Sequence, residues 1–270
     1  MLSSVSKPIH RSALRIWLGK RYFISRRYWK WYLGKQTFAK TLQTDTLDYP
    51  VFEHQTPLLR KLKNLEMHLQ YNKITNLQLA ARKISGLIIR PGETFSFWYL
   101  VGYPSKAKGY KSGMMLRNGE IIEGIGGGLC QMSNLIFWMA IHSPLTITER
   151  WRHSFDVFPD AGRTQPFGSG ATLSYNYVDL QFKNETENDF QINLNLSDTH
   201  LQGSILSDKD TDYWYQIEEL NHRIVGEPWG GYTRHNQIIR KSFLKNMDTL
   251  VREEPLFENH AILMYTPFLE

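Results

Sequence analysis

Four glycines stand just ahead of the only cysteine of the 270-residue chain, in the stretch "GIGGGLCQMSN" from Gly124 to Asn134. Met132, Leu135, Ile136, Met139 and Ala140 follow at i, i+3, i+4, i+7 and i+8, and Phe137, Trp138 and Ile141 make the far half apolar all round. This pattern predicts a buried helix that starts at Cys130 and runs to His142, where Ser143-Pro144 stops it. At a helix start, unpaired backbone amides and the positive end of the dipole favour a thiolate. Gly126, Gly127 and Gly128, lacking β-carbons, permit a tight turn and a close approach of a substrate backbone to the sulfur. This is the setting of a nucleophile.

A nucleophilic thiol needs a base, and "TERWRHSFDVF" supplies His153 on the segment after the helix. Strand alternation puts Glu149, Trp151, His153, Phe155 and Val157 on one face and Asp156 on the other, so Asp156 cannot orient this imidazole within a regular strand. Glu149 shares the face but lies roughly 13 Å away along a strand. Asp179, in the otherwise uncharged run "ATLSYNYVDLQF", is the remaining candidate if the two strands pair antiparallel. The resulting constellation is Cys130, His153 and Asp179, with the Cys130 amide, Gln131 or Ser133 as donors to an oxyanion.

Other readings of the same residues stand beside this one. The dinucleotide fingerprint requires a glycine where Leu129 stands, and no Gly-Lys-Ser/Thr follows to make a phosphate loop, so nucleotide binding is weak. A lone cysteine is also commonly a small buried hydrophobe, in which case the glycines serve packing alone. Asp179 can equally be an edge-strand carboxylate solvated by water.

A hydrophobic fraction of 41% is enough for a full core. A single thiol can form neither an internal disulfide nor a multi-cysteine zinc site, and none of the nine histidines falls in a ligand spacing, so no metal or other cofactor is expected. Residues 1–44 hold ten Lys or Arg and no Asp or Glu, which leaves the body with four more acidic than basic side chains despite a net charge of +6. The basic character belongs to an N-terminal arm, and only the arm calls for an acidic partner.

Within the arm, Leu14, Leu18, Tyr22, Trp29 and Leu33 approximate one helical stripe among Arg and Lys. Residues 7–40 therefore suit an anionic membrane surface, and nucleic acid less well, since no nucleic-acid motif is visible. The plain alternative is a core-packing helix with a solvated basic face. Charges interrupt every short apolar run near the N-terminus, so neither a signal peptide nor a membrane span is predicted. The expected location is cytoplasmic, peripheral to the inner face of the membrane.

Thr56 and Pro57 read as the N-cap and first residue of a helix carrying Leu58, Leu62, Leu65 and Leu69, with a second helix over 76–85 ended by Gly86. From Leu87 the texture turns to β: "LIIRPGETFSFWYLVG", then "GMMLRNGEIIEG" with Asn118-Gly119 as a type I′ turn. Strands are predicted over 145–158, 171–182 and 190–196, with mostly strand and turn beyond. The fold class is α+β, with a central helix carrying Cys130 at its N-terminus packed on an antiparallel sheet. The domain reading is an arm over 1–44 and one domain over 45–270, made of helices (56–86), a motif-bearing core (87–184) and a β-rich part (185–270).

Cysteine, histidine and aspartate in this order resemble, from Cys130 to about Phe182, the papain and transglutaminase-like enzymes, notably arylamine N-acetyltransferases. That resemblance implies acyl transfer or amide cleavage. More specifically, "RPGETFSFWYLVGYPSKAKGY", "RNGEIIEGIGGGLCQMSNLIFWM" and "ERWRHSFDVFPD" resemble the VanW family over about residues 87–184. The tail segments "GGYTRHN" and "NHAILMYTP" look like its short members. The family's hallmarks fall on Gly126 to Gln131 and on the "ER" and "HS" around His153 and Ser154. The resemblance implies a link to glycopeptide resistance and the bacterial cell envelope, and no defined reaction. Many relatives are exported or carry peptidoglycan-binding modules; this chain shows no signal peptide and no room for such modules. The expected partner is a peptidoglycan precursor or another acyl or peptide substrate, handled either by a cysteine acyltransferase or amidohydrolase, or by a non-catalytic binding module in which the glycines are structural.

Overall fold

The computed structural model describes residues 11–59, 66–117, 119–157 and 165–267. The arm forms helix α1 (Ala13–Leu33), capped by Ser12, whose Oγ accepts from the Arg15 amide at 3.4 Å. It docks on the body through two buried side chains, Arg27 and Trp31. The stripe read from the sequence points the other way: Leu14, Leu18, Tyr22, Trp29 and Leu33 are all exposed, so a core-packing role for that stripe is corrected.

Strands β1 (Thr41–Leu42) and β2 (Tyr49–Pro57) follow. Thr56 and Pro57 close β2 and begin no helix, because they pair with the partner strand opposite Leu201 and His200. As β2 is the last strand of its sheet, the missing proline N–H costs no ladder bond. Leu62 and Leu65 of the predicted first helix lie outside the described residues. Among the described residues one helix, α2 (Met67–Ile84), stands where the pair was predicted, buries Leu69, Leu77, Ala80, Ala81 and Ile84, and gives way at Gly86, where φ is +85°.

β3 (Leu87–Ile89) and β4 (Thr94–Ser96) bear out the β texture, but the apolar run after them is a short helix, α3 (Phe97–Val101). Ser96 starts it by accepting from the Tyr99 amide at 3.3 Å, and burial of Phe97, Trp98 and Val101 holds it. The hairpin is present as β5 (Ser112–Arg117) and β6 (Glu120–Ile125), with Arg117 opposite Glu120. Asn118 of its turn lies outside the described residues, and Gly119 has the positive φ, +83°, that such a turn requires.

Helix α4 runs from Cys130 to Ile141, as its periodicity demands. The predicted strand over 145–158 is two separate pieces, β7 (Thr146–Glu149) and β8 (Phe155–Asp156), which belong to different sheets. The strand predicted over 171–182 is likewise mostly irregular. Residues 174–178 close a tight loop, with Tyr177 and Val178 amides donating to the Ser174 carbonyl, and only β9 (Gln181–Lys183) is strand. Phe158 lies outside the described residues.

The remainder is strand and turn: β10 (Phe190–Leu196), β11 (His200–Ser207), β12 (Tyr213–Glu227), β13 (Gly231–Leu244) and β14 (Thr249–Leu263). Sheet orders are β1-β3-β10-β11-β2, β4-β9-β7, β5-β6 and β12-β13-β14-β8. Every pairing between these strands is antiparallel except β8 on β14. The chain is thus α+β with antiparallel sheets and few helices. α4 lies on the five-stranded sheet, where Gly203 of β11 makes room: a β-carbon there would fall 2.8 Å from Met139 Cε and 3.1 Å from Leu135 Cδ2.

Candidate functional site

The glycine segment is a joint between three elements. Gly126 and Gly128 have φ of +78° and +90°, which few side chains tolerate. The space that their missing β-carbons clear is filled by the protein itself. A β-carbon on Gly126 would meet the Pro104 ring at 2.7 Å, one on Gly127 would strike the Gly113 backbone, and one on Gly128 would strike the Lys73 side chain. Asn76, fully buried in the middle of α2, locks the joint: its Nδ2 donates to the Gly127 carbonyl at 2.9 Å and to the Lys111 carbonyl at 3.0 Å, and its Oδ1 accepts from the Lys111 amide at 2.8 Å. The open approach for a substrate backbone, expected above these glycines, is therefore occupied by β5, α2 and Pro104.

Cys130 opens α4 as expected, half-buried and packed against the core. Burial pushes its thiol up, against the pull of backbone hydrogen bonds from Leu173 and from its own residue. The helix start gives less help than its position suggests. The amides of Gln131 and Met132 already donate to the carbonyls of Gly128 and Leu129 at 3.0 Å, and that of Ser133 to Leu129 at 3.2 Å. These three amides are thus spent within the turn, while the amide of Cys130 itself still reaches its own sulfur.

The two side chains expected to support an oxyanion are also engaged. Gln131 Nε2 donates to Thr56 Oγ1 at 3.0 Å and to the Pro57 carbonyl at 2.9 Å, stapling α4 to the edge strand β2. Ser133 Oγ donates to the Ala171 carbonyl at 2.6 Å and lies 3.1 Å from the Cys130 carbonyl. Asn134 Oδ1 accepts from the Ala171 amide at 2.8 Å. Together these bonds lay residues 171–173 across the first turn of α4, beside the thiol.

Asp179 is fully buried, and its carboxylate accepts from Ser96 Oγ at 2.6 Å, Gln181 Nε2 at 2.9 Å, its neighbour Leu180 N at 3.0 Å and Trp98 N at 3.1 Å. Arg27 Nη1 lies 3.8 Å away. Burial raises the carboxyl to about 6, opposed by those hydrogen bonds and by the arginine. Arg27 meanwhile grips Glu149 with both ends of its fork, at 2.7 and 2.5 Å, and Glu149 also accepts from Trp151 Nε1 at 3.0 Å and from the Asp179 amide at 3.2 Å. The strand pairing that was to bring Asp179 to His153 exists, as β7 against β9, yet both residues lie outside those strands. His153 is partly buried, and burial and Arg152 hold its imidazole below the usual range. No hydrogen bond or ion pair joins His153 to Cys130 or to Asp179. Cys130 and Asp179 belong to separate networks, on α4 and beneath α1.

Arg150 is the residue whose importance the pattern of types concealed. Its Nε donates to the Gly170 carbonyl at 2.9 Å, Nη1 to Asn259 Oδ1 at 3.0 Å and Nη2 to the Gly168 carbonyl, while the guanidinium stacks 4.6 Å from the Phe257 ring centre. Among the described residues no carboxylate faces it, and burial beside Arg152 lowers its pKa to about 9. Arg150 ties the 168–170 turn to β14, and that turn leads into the segment over Cys130. Among the described residues no three His, Cys, Asp or Glu side chains come together to hold a metal ion.

With that geometry in hand, the comparisons with known proteins are specific. A family model described as "VanW like protein" matches residues 72–206. Vancomycin B-type resistance protein VanW of Enterococcus faecalis (strain ATCC 700802 / V583) is 36% identical over 228 residues, covering 84% of this chain and 82% of that protein. Uncharacterized protein YoaR of Bacillus subtilis (strain 168) is 37% identical over 110 residues, 41% of this chain and 35% of that protein. No solved structure matches significantly. The glycine joint and the Glu149-Arg150 pair both lie inside the matched region, and the chain belongs to the VanW family.

Proposed function

We propose that this protein is an accessory factor of vancomycin resistance that acts by binding an envelope peptide or a partner protein, and that its glycine segment is a structural joint. The link to resistance rests on the relative that bears that name. The observation that carries the binding reading is the joint itself: Gly126, Gly127 and Gly128 are each met by the protein's own atoms, with Asn76 sealing them from α2. A nucleophile's glycines would open onto a cleft. The raised thiol and the engagement of Gln131 and Ser133 support the same reading.

For the binding face we assign the open groove of about 900 Å³ between β7 and the C-terminal sheet, lined by Thr146 to Arg150, Tyr215, Arg240 and Glu254. β7 is the last strand of its sheet, so an extended peptide can add to its free edge through main-chain hydrogen bonds. The test is complementation in a host carrying a B-type resistance cluster from which its own VanW has been deleted. Cys130→Ser and His153→Ala are expected to restore resistance as fully as the unaltered chain. Loss of resistance in a well-folded Cys130→Ser protein would contradict the binding reading and restore the thiol to a chemical role.

A further inference from the structure

We infer that the outward face of α1 is a docking surface for an anionic lipid bilayer. Residues 11–18 are exposed on every side, Ile16 and Trp17 included, and from Gly19 onward the helix has two faces of different character. Arg27 and Trp31 are buried against the body, Tyr28 Oη lies 2.5 Å from Tyr175 Oη, and Lys20 Nζ sits 5.9 Å from the Tyr177 ring centre. Leu14 (67% exposed), Leu18 (53%), Tyr22 (62%), Trp29 (65%) and Leu33 (72%) lie along one stripe at helical spacing, broken only at Ser25, and no other described element packs on it. The body could have buried this stripe by rotating the helix, and instead it takes the face that carries Arg27.

What occupies the stripe is indicated by its borders. Arg15 and Arg26 flank it on one side and Arg21 on the other, Lys30 lies just beyond, and residues 1–44 contain no acidic side chain at all. A surface that is apolar along the middle, rich in Trp and Tyr, and purely cationic at the edges is complementary to the boundary between anionic headgroups and acyl chains. Nucleic acid would use the cations and leave the leucines in water. No helix among the described residues is long and apolar enough to cross a membrane, so the expected mode is a helix lying in the interface.

The full chain is to be sedimented with large vesicles of phosphatidylcholine alone and of phosphatidylcholine mixed with phosphatidylglycerol, beside a Leu18→Gln/Trp29→Gln double variant, which leaves the charge of the arm unchanged. Both altered side chains are exposed, so the variant keeps its fold, which an unchanged Tm verifies. The expected result is binding to the phosphatidylglycerol vesicles alone, weakened by salt, and reduced about tenfold or more in the double variant. Absence of binding to those vesicles overturns the inference, as does equal binding by the variant, which would leave charge alone responsible. A lipid-free dimer that the double variant disperses would assign the stripe to a second copy. Binding to duplex DNA without binding to vesicles would assign the arm to nucleic acid.

Discussion

Replacing Arg27 with alanine is expected to cost about 3–5 kcal/mol, the usual penalty for removing one partner of a buried ion pair. The guanidinium is the only basic group within ion-pair distance of Glu149 and Asp179 among the described residues, and Asp179 is fully buried. Without it, two carboxylates face each other across the Asp179 amide, and α1 loses one of its two buried anchors. Equilibrium denaturation measures the loss, and limited proteolysis locates it: α1 should become cleavable under conditions where α4 stays protected. Arg27→Lys should recover only part of the stability, since an ammonium cannot span both oxygens of Glu149. A loss below about 1 kcal/mol, with α1 still protected, would mean the cluster is no more than a screened surface pair.

A second large effect is expected at Arg150. Alanine there removes a half-buried cation with its three hydrogen bonds, leaves the Gly168 and Gly170 carbonyls without this donor, and strips a cation from the faces of Phe257 and Phe137. With charged hydrogen bonds worth about 1.5–3 kcal/mol each and partial relaxation, a loss of about 3–5 kcal/mol is expected. Arg150→Lys should not rescue it, because three acceptors are spread around one planar fork. The change should also loosen residues 168–173, so Cys130 should react faster with thiol reagents in Arg150→Ala than in the unaltered protein. A stability change under about 1 kcal/mol, or no change in thiol reactivity, would argue that the clamp does not govern the segment over the cysteine.

The sequence was most readable where short-range pattern and structure agree. The apolar helix from Cys130 to Ile141, the hairpin around Gly119, strand β10 and the β-rich C-terminal part follow from periodicity and turn chemistry alone. Thr56-Pro57 misled because a Thr-Pro pair suits a helix start and an edge strand equally, and only pairing with β11 decides between them. The breaks at 150–154 and 171–180 have non-local causes. Glu149 is held by Arg27 from 122 residues away, and Arg150 by Asn259 from 109 residues away.

The order Cys130, His153, Asp179 invited a catalytic reading because residue type and order are visible in a sequence, whereas Asp179's actual partners, Ser96, Trp98 and Arg27, come from α1 and the β4-α3 junction. Asn76 was passed over for a related reason. A mid-helix asparagine carries no pattern until the carbonyls of Gly127 and Lys111 are found beside it.

The decisive measurement is the pH dependence of iodoacetamide alkylation at Cys130, unambiguous because the chain has one thiol. A thiol raised by burial should alkylate slowly at neutral pH, accelerate only at a pH above that of an ordinary exposed thiol, and behave identically in His153→Ala. Rapid alkylation well below pH 8 that is lost in His153→Ala would reveal an activated thiolate and contradict a purely structural joint.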